Sequence, residues 1–126
     1  MSIKNVIAIE VSQDEHYKTQ FLKSLKEDWP ALAKDFRHYC HQENPQTGDV
    51  WLWTSPEGVK YVHMIMDKES GDKHAQQSRL AAFKKCLKTA HKMLPAEEFE
   101  LLQLKPEAFL FSEVELKEAQ QLLQAM

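Results

Sequence analysis

The side chains able to do chemistry are scattered through this chain, and one group of them falls where ligands gather in open α/β folds. Ser12, Gln13, Asp14 and His16 stand between a β-branched run, Asn5 to Val11, and a helical pattern after it. The carboxyl end of a strand followed by a helix N-terminus offers amides to an anion. Ser12 and Glu15 also match a capping box, which does no more than start a helix. Asp14 and Glu15 put negative charge where a phosphate would lie, at a cost in affinity. Lys105 opens the segment after the last strand-like run. By position, Ser12, Gln13, Asp14 and Lys105 are the candidate ligand-binding residues. His38, Cys40 and His41 have the residue types of a metal site, but on a helix His38 and Cys40 point to different faces. No metal site and no cofactor are expected. Cys40 and Cys86 follow apolar helical stripes and read as packing. No general base and no oxyanion loop can be named, so no catalytic residue is assigned.

Those groups must be positioned by a small frame. The chain has 126 residues, 43% hydrophobic and 28% charged, with a formal net charge of −3. That is the size of one domain, spanning residues 1–126. The charge gives no reason to bind nucleic acid or an anionic membrane. Lys84, Lys85, Lys88 and Lys92 make one helix basic, while the region from Glu97 onward is acidic. The basic run reads as a solvated helix face opposite an apolar stripe; basic and acidic surfaces meeting, within one molecule or between two, is a further reading. Two cysteines do not make a disulfide framework, and no apolar run resembles a leader or a membrane span. A cytoplasmic setting is expected. Only Gly48, Gly58 and Gly71 are glycine, and loops that wrap phosphate with backbone amides depend on glycine.

Periodicity gives the order β-α-β-β-α-β-α. The first strand is Asn5 to Val11. Helical spacing runs from the Ser12 cap through Leu25, is interrupted by Pro30, and continues to His41. Val50–Thr54 and Val59–Met66 read as a hairpin around Ser55-Pro56-Glu57-Gly58, apolar on both faces and so buried on both. Asp67 to Ala75 reads as a loop. A helix is predicted from Gln76 to Leu94, a strand from Phe99 to Leu104, and a helix to Gln124 that opens on the Ser112/Glu115 capping box. Trp51 and Trp53 share one face and read as core beneath a helix.

With these elements placed, one stretch carries a resemblance. Trp29-Pro30, Lys34 to His41 (Lys-Asp-Phe-Arg-His-Tyr-Cys-His), Pro45, and Gly48 to Trp53 (Gly-Asp-Val-Trp-Leu-Trp) resemble a bacterial branch of the macro domain family. The resemblance spans roughly residues 5 to 104. It implies a three-layer α/β/α fold with a small mixed sheet, and a small nucleotide ligand related to ADP-ribose. The family's two glycine-rich loops would fall at residues 11–16 and 105–111, and both lack glycine here. The early and final strands of the family are missing as well. The chain therefore resembles a shortened, degenerate, non-catalytic macro domain, with ADP-ribosyl hydrolysis not expected. Phe109 and Phe111 are expected to fill the cleft above Val11 and Leu104. The alternative is a non-enzymatic interaction module, a homodimer formed through an exposed sheet edge.

Overall fold

The computed structural model describes residues 3–12, 19–66 and 73–126, with side-chain environments resuming at Arg79. The apolar run near the N-terminus forms β1 (Asn5–Ser12), buried from Val6 onward. Helix α1 (Gln20–Asp28) opens on Thr19, whose hydroxyl accepts the Leu22 N–H at 3.1 Å. Ser12 is therefore the last residue of a strand, and the cap of α1 is Thr19; Glu15 lies outside the described residues. Trp29 ends α1, and Pro30 occupies the first turn of α2 (Pro30–Glu43). Proline is tolerated there because no N–H is needed. Asn44 closes α2 in the left-handed region and donates its N–H to the Cys40 carbonyl.

Gly48 then adopts φ +98, and a Cβ at that position would sit 3.1 Å from the Lys85 side chain. Glycine meets both demands, a left-handed backbone and a close neighbour. Strands β2 (Val50–Thr54) and β3 (Val59–Met66) form the expected antiparallel hairpin. Helix α3 (Lys73–Met93) starts earlier than periodicity predicts, taking in residues 73–75. The predicted strand from Phe99 is also corrected. After Pro95, α4 (Ala96–Phe99) turns once, and β4 is only Leu102–Leu104. Proline favours a first helical turn, and Glu97 and Glu98 suit the positive end of that turn. A 3-10 turn, Pro106–Ala108, follows, and then α5 (Glu113–Gln124).

The sheet order is β2-β3-β1-β4. β1 runs parallel to both β3 and β4, pairing Val6 with Lys60 and with Leu102, so the sheet is mixed. Residues paired in register share a face. Ile7, Ile9, Trp51, Trp53, Tyr61 and His63 therefore lie on one side, under α1 and α2. Val6, Ala8, Glu10, Val62 and Met64 lie on the other, under α3. Phe36 reaches down from α2 to Trp51 and His63, with ring centres 5.5 and 5.2 Å away. Phe83 and Cys86 descend from α3 and are fully buried. β3 is buried from Tyr61 to Met66, while Trp51, Leu52 and Trp53 are half-exposed because β2 is an edge strand. The result is an α/β/α sandwich. Among the described residues no helix is long and apolar enough to cross a membrane.

Candidate functional site

Because β1, β3 and β4 are parallel, their carboxyl ends lie at one end of the sheet. Ser12 is the last residue of β1 and is buried. Lys105 follows β4 directly. Leu104 is level with Ala8, so the Lys105 backbone stands about three residues short of Ser12, roughly 10 Å at the rise of a strand. The Lys105 ammonium turns to α1 and sits over the Phe21 ring, 5.8 Å from its centre. Ser12 and Lys105 thus share an end of the sheet without converging. Gln13 and Asp14 lie outside the described residues, as does His16.

The segment after Lys105 is held by a pair of buried charges. Glu10 Oε1 accepts the Leu110 N–H at 3.1 Å. Arg79 of α3 donates from Nη1 to the Leu110 carbonyl at 3.2 Å, and its Nε lies 3.8 Å from Glu10 Oε2. One carboxylate and one guanidinium therefore grip both backbone groups of a single residue. The signal was present in the sequence, since Glu10 interrupts an otherwise apolar strand. Its partner is far away in the chain and could not be read from spacing.

The neighbouring amides are engaged as well. The Ala108 N–H donates to the Lys105 carbonyl, the Phe109 N–H to the Pro106 carbonyl, and the Ser112 N–H to Glu115 Oε1. Pro106 has no N–H. A phosphate cradle needs several amides turned toward one point. Here those of Ala108, Phe109, Leu110 and Ser112 already have acceptors within the protein. Phe109 and Phe111 stack at 5.0 Å, and each meets Phe83 edge-on, at 5.8 and 5.6 Å. The two aromatics thus anchor the segment against α3. Residues 13–18 and 67–72 lie outside the described residues.

The remaining reactive groups are packed or apart. The Cys86 Sγ faces the Asp49 and Ile65 carbonyls at 3.7 and 3.6 Å. Burial pushes its thiol up to about 12, with Asp49 adding to the effect, so it remains protonated at neutral pH and is a poor nucleophile. Cys40 is buried in the α2 stripe. His38 and His41 both open onto a groove of about 320 Å³ on the outer side of α2, with Lys34, Asp35 and Arg37. Among the described residues no three His, Cys, Asp or Glu side chains converge.

No family model and no curated protein matches this sequence. Solved structures do. The macrodomain of Thermus aquaticus DarG aligns at a TM-score of 0.71 and 14% identity, over 96% of this chain and 80% of that one. This chain has the macrodomain fold. A Bacteroides thetaiotaomicron protein of unknown function is equally similar, with a TM-score of 0.71 and 14% identity over 98% of this chain and 82% of that one. Thermosipho africanus DarTG, solved in complex with ADP-ribose, aligns at 0.62 and 10% identity, over 94% of this chain and 34% of that one. The resemblance carried by Trp29 to Trp53 therefore holds at the level of the fold.

Proposed function

We propose that this chain is a non-catalytic, macro-like binding module for a small nucleotide of the ADP-ribose type. The observation that carries the reading is that three parallel strands run toward one end of the sheet, β1 and β3 ending together at Ser12 and Met66 and β4 ending level with Ala8 before Lys105. Gln13 and Asp14 would belong to the same rim by their place in the chain. The macrodomain fold, and the ADP-ribose bound by the Thermosipho africanus neighbour, support the choice of ligand. The segment after β4 argues for an altered grip. Its amides are engaged internally, and we propose that Phe109 and Phe111 close the site on that side. Lys105, swung off the Phe21 ring, then supplies charge attraction in place of part of a backbone cradle.

Calorimetric titration with ADP-ribose tests this. Weak binding, with Kd on the order of 0.1–1 mM, is expected, and Lys105→Ala should weaken it several-fold. No heat and no thermal shift at millimolar ligand would end the reading. For a macromolecular partner we propose a second copy of the chain, on the strength of the open outer edge of β2 among the described residues.

A further inference from the structure

The two sheet edges differ. β4 offers only Leu102–Leu104, whereas β2 offers Val50–Thr54. Exposed edges are normally blunted by shortness, by charge or by proline. β4 is short. β2 has the sequence Val-Trp-Leu-Trp-Thr, with no charge and no proline, and nearly every residue in it favours a strand.

Hydrogen bonding fixes which groups face outward. The Ile65 N–H donates to the Asp49 carbonyl at 2.9 Å, and the Ser55 N–H to the Val59 carbonyl at 2.8 Å. Such pairs recur at every second residue of an antiparallel ladder. Trp51 and Trp53 are therefore bonded to His63 and Tyr61. Val50, Leu52 and Thr54 turn their N–H and C=O groups away from β3, toward an edge that no strand covers among the described residues. A groove of about 500 Å³ lies beside the start of this edge, lined by Tyr39, Glu43, Asp49, Val50, Thr89 and Met93. Met93 is 46% exposed there.

Charge identifies the occupant. On the α3 side of the sheet, Lys85 lies against Gly48 at the start of β2. At the other end, Glu98 of α4 pairs with Lys60, the cross-strand neighbour of Thr54. Lys88 and Lys92 follow Lys85 along α3, and Glu97 and Glu100 flank Glu98; all four are exposed. With Asp49 counted at the start of β2 and Lys60 at its end, the face still runs from net positive to net negative along β2. A two-fold axis through Leu52 reverses that direction in a second molecule and sets each positive end against a negative one.

We infer that two copies of this chain pair antiparallel through β2 about a two-fold axis at Leu52, joining their sheets into one. Val50 then bonds to Thr54 of the second copy, Leu52 to its own counterpart, and the lysines of α3 face the glutamates of the other α4. The inference deepens the self-association reading and is independent of the nucleotide ligand.

Sedimentation and light scattering of the whole chain test it. A dimer with a micromolar Kd is expected. Leu52→Pro should shift the protein to monomer, because the N–H it removes points outward and the β2–β3 ladder is left intact. K85E/K92E and E97K/E100K should each weaken association at least about tenfold, and mixing the two variants should restore a dimer through opposite charges. The mixture guards against misfolding of either variant, since an unfolded protein rescues nothing. A wild-type monomer at on the order of 100 µM would overturn self-association altogether. A wild-type dimer unmoved by Leu52→Pro and by both charge variants would overturn the β2 assignment alone.

Discussion

His63 is the residue whose burial has the plainest thermodynamic consequence. It has no exposed surface, lies between Phe36 and Trp51, and donates from Nδ1 to the Tyr61 carbonyl at 3.1 Å. Nε2 has no hydrogen-bond partner among the described residues. The ring is thus a neutral Nδ1–H tautomer, and desolvation lowers its pKa from the usual 6.5 to about 3. The unfolded chain takes up a proton near pH 6.5 and the folded chain does not. Stability from this site is therefore complete above pH 6.5 and falls with pH, by about 1.4 kcal/mol per unit, until pH nears 3. His63→Phe keeps a ring in the aromatic cluster and removes the titration. Urea unfolding at pH 7 and pH 5 should show wild type losing about 2 kcal/mol more than the variant over that interval. Equal losses would mean that His63 is not held neutral.

At the scale of elements, α5 has the most explicit start. The Ser112 hydroxyl accepts the Glu115 N–H at 3.2 Å, and Glu115 Oε1 accepts the Ser112 N–H at 2.8 Å. Ser112→Ala should cost about 1 kcal/mol in a denaturant titration. A loss under a few tenths would show that packing of Ala119 and its neighbours alone sets the helix. This capping box was legible in the sequence because both halves lie within four residues. The hairpin was legible for the same reason, with its turn residues adjacent to its strands. The start of α1 was misplaced because Ser12 and Glu15 carry the same local pattern as Ser112 and Glu115, while β1 claims Ser12 for the sheet. Phe99, Glu100 and Leu101 were misread because a single helical turn after Pro95 leaves no periodicity to detect. The site was the least legible part. Lys105 could be placed after its strand, but its approach to Phe21, and the grip of Glu10 and Arg79 on Leu110, join residues distant in the chain.

For the whole molecule, the two helical layers share one sheet, and the aromatic residues are divided between them. Trp29, Trp51 and Trp53 all belong to the side covered by α1 and α2. The other side holds Phe83, Phe109 and Phe111. Tryptophan fluorescence therefore reports one layer, and far-ultraviolet circular dichroism reports both. Since β1 is buried by both layers, unfolding should be cooperative and the two signals should coincide in urea. A circular dichroism transition that precedes the fluorescence change would show the α3–α5 layer melting by itself.

The register of β1 also bears on how the protein is made. Val6 lies in the centre of the sheet, yet its neighbours are Lys60 and Leu102. On the ribosome this apolar strand emerges well before either partner, and its second side stays open until β4 has cleared the exit tunnel. The nascent chain must carry Val-Ile-Ala-Ile without its second partner until Leu102–Leu104 has emerged. Pairing between strands so distant in sequence is slow, which makes the interval before β4 joins the sheet the one in which this strand most needs a chaperone.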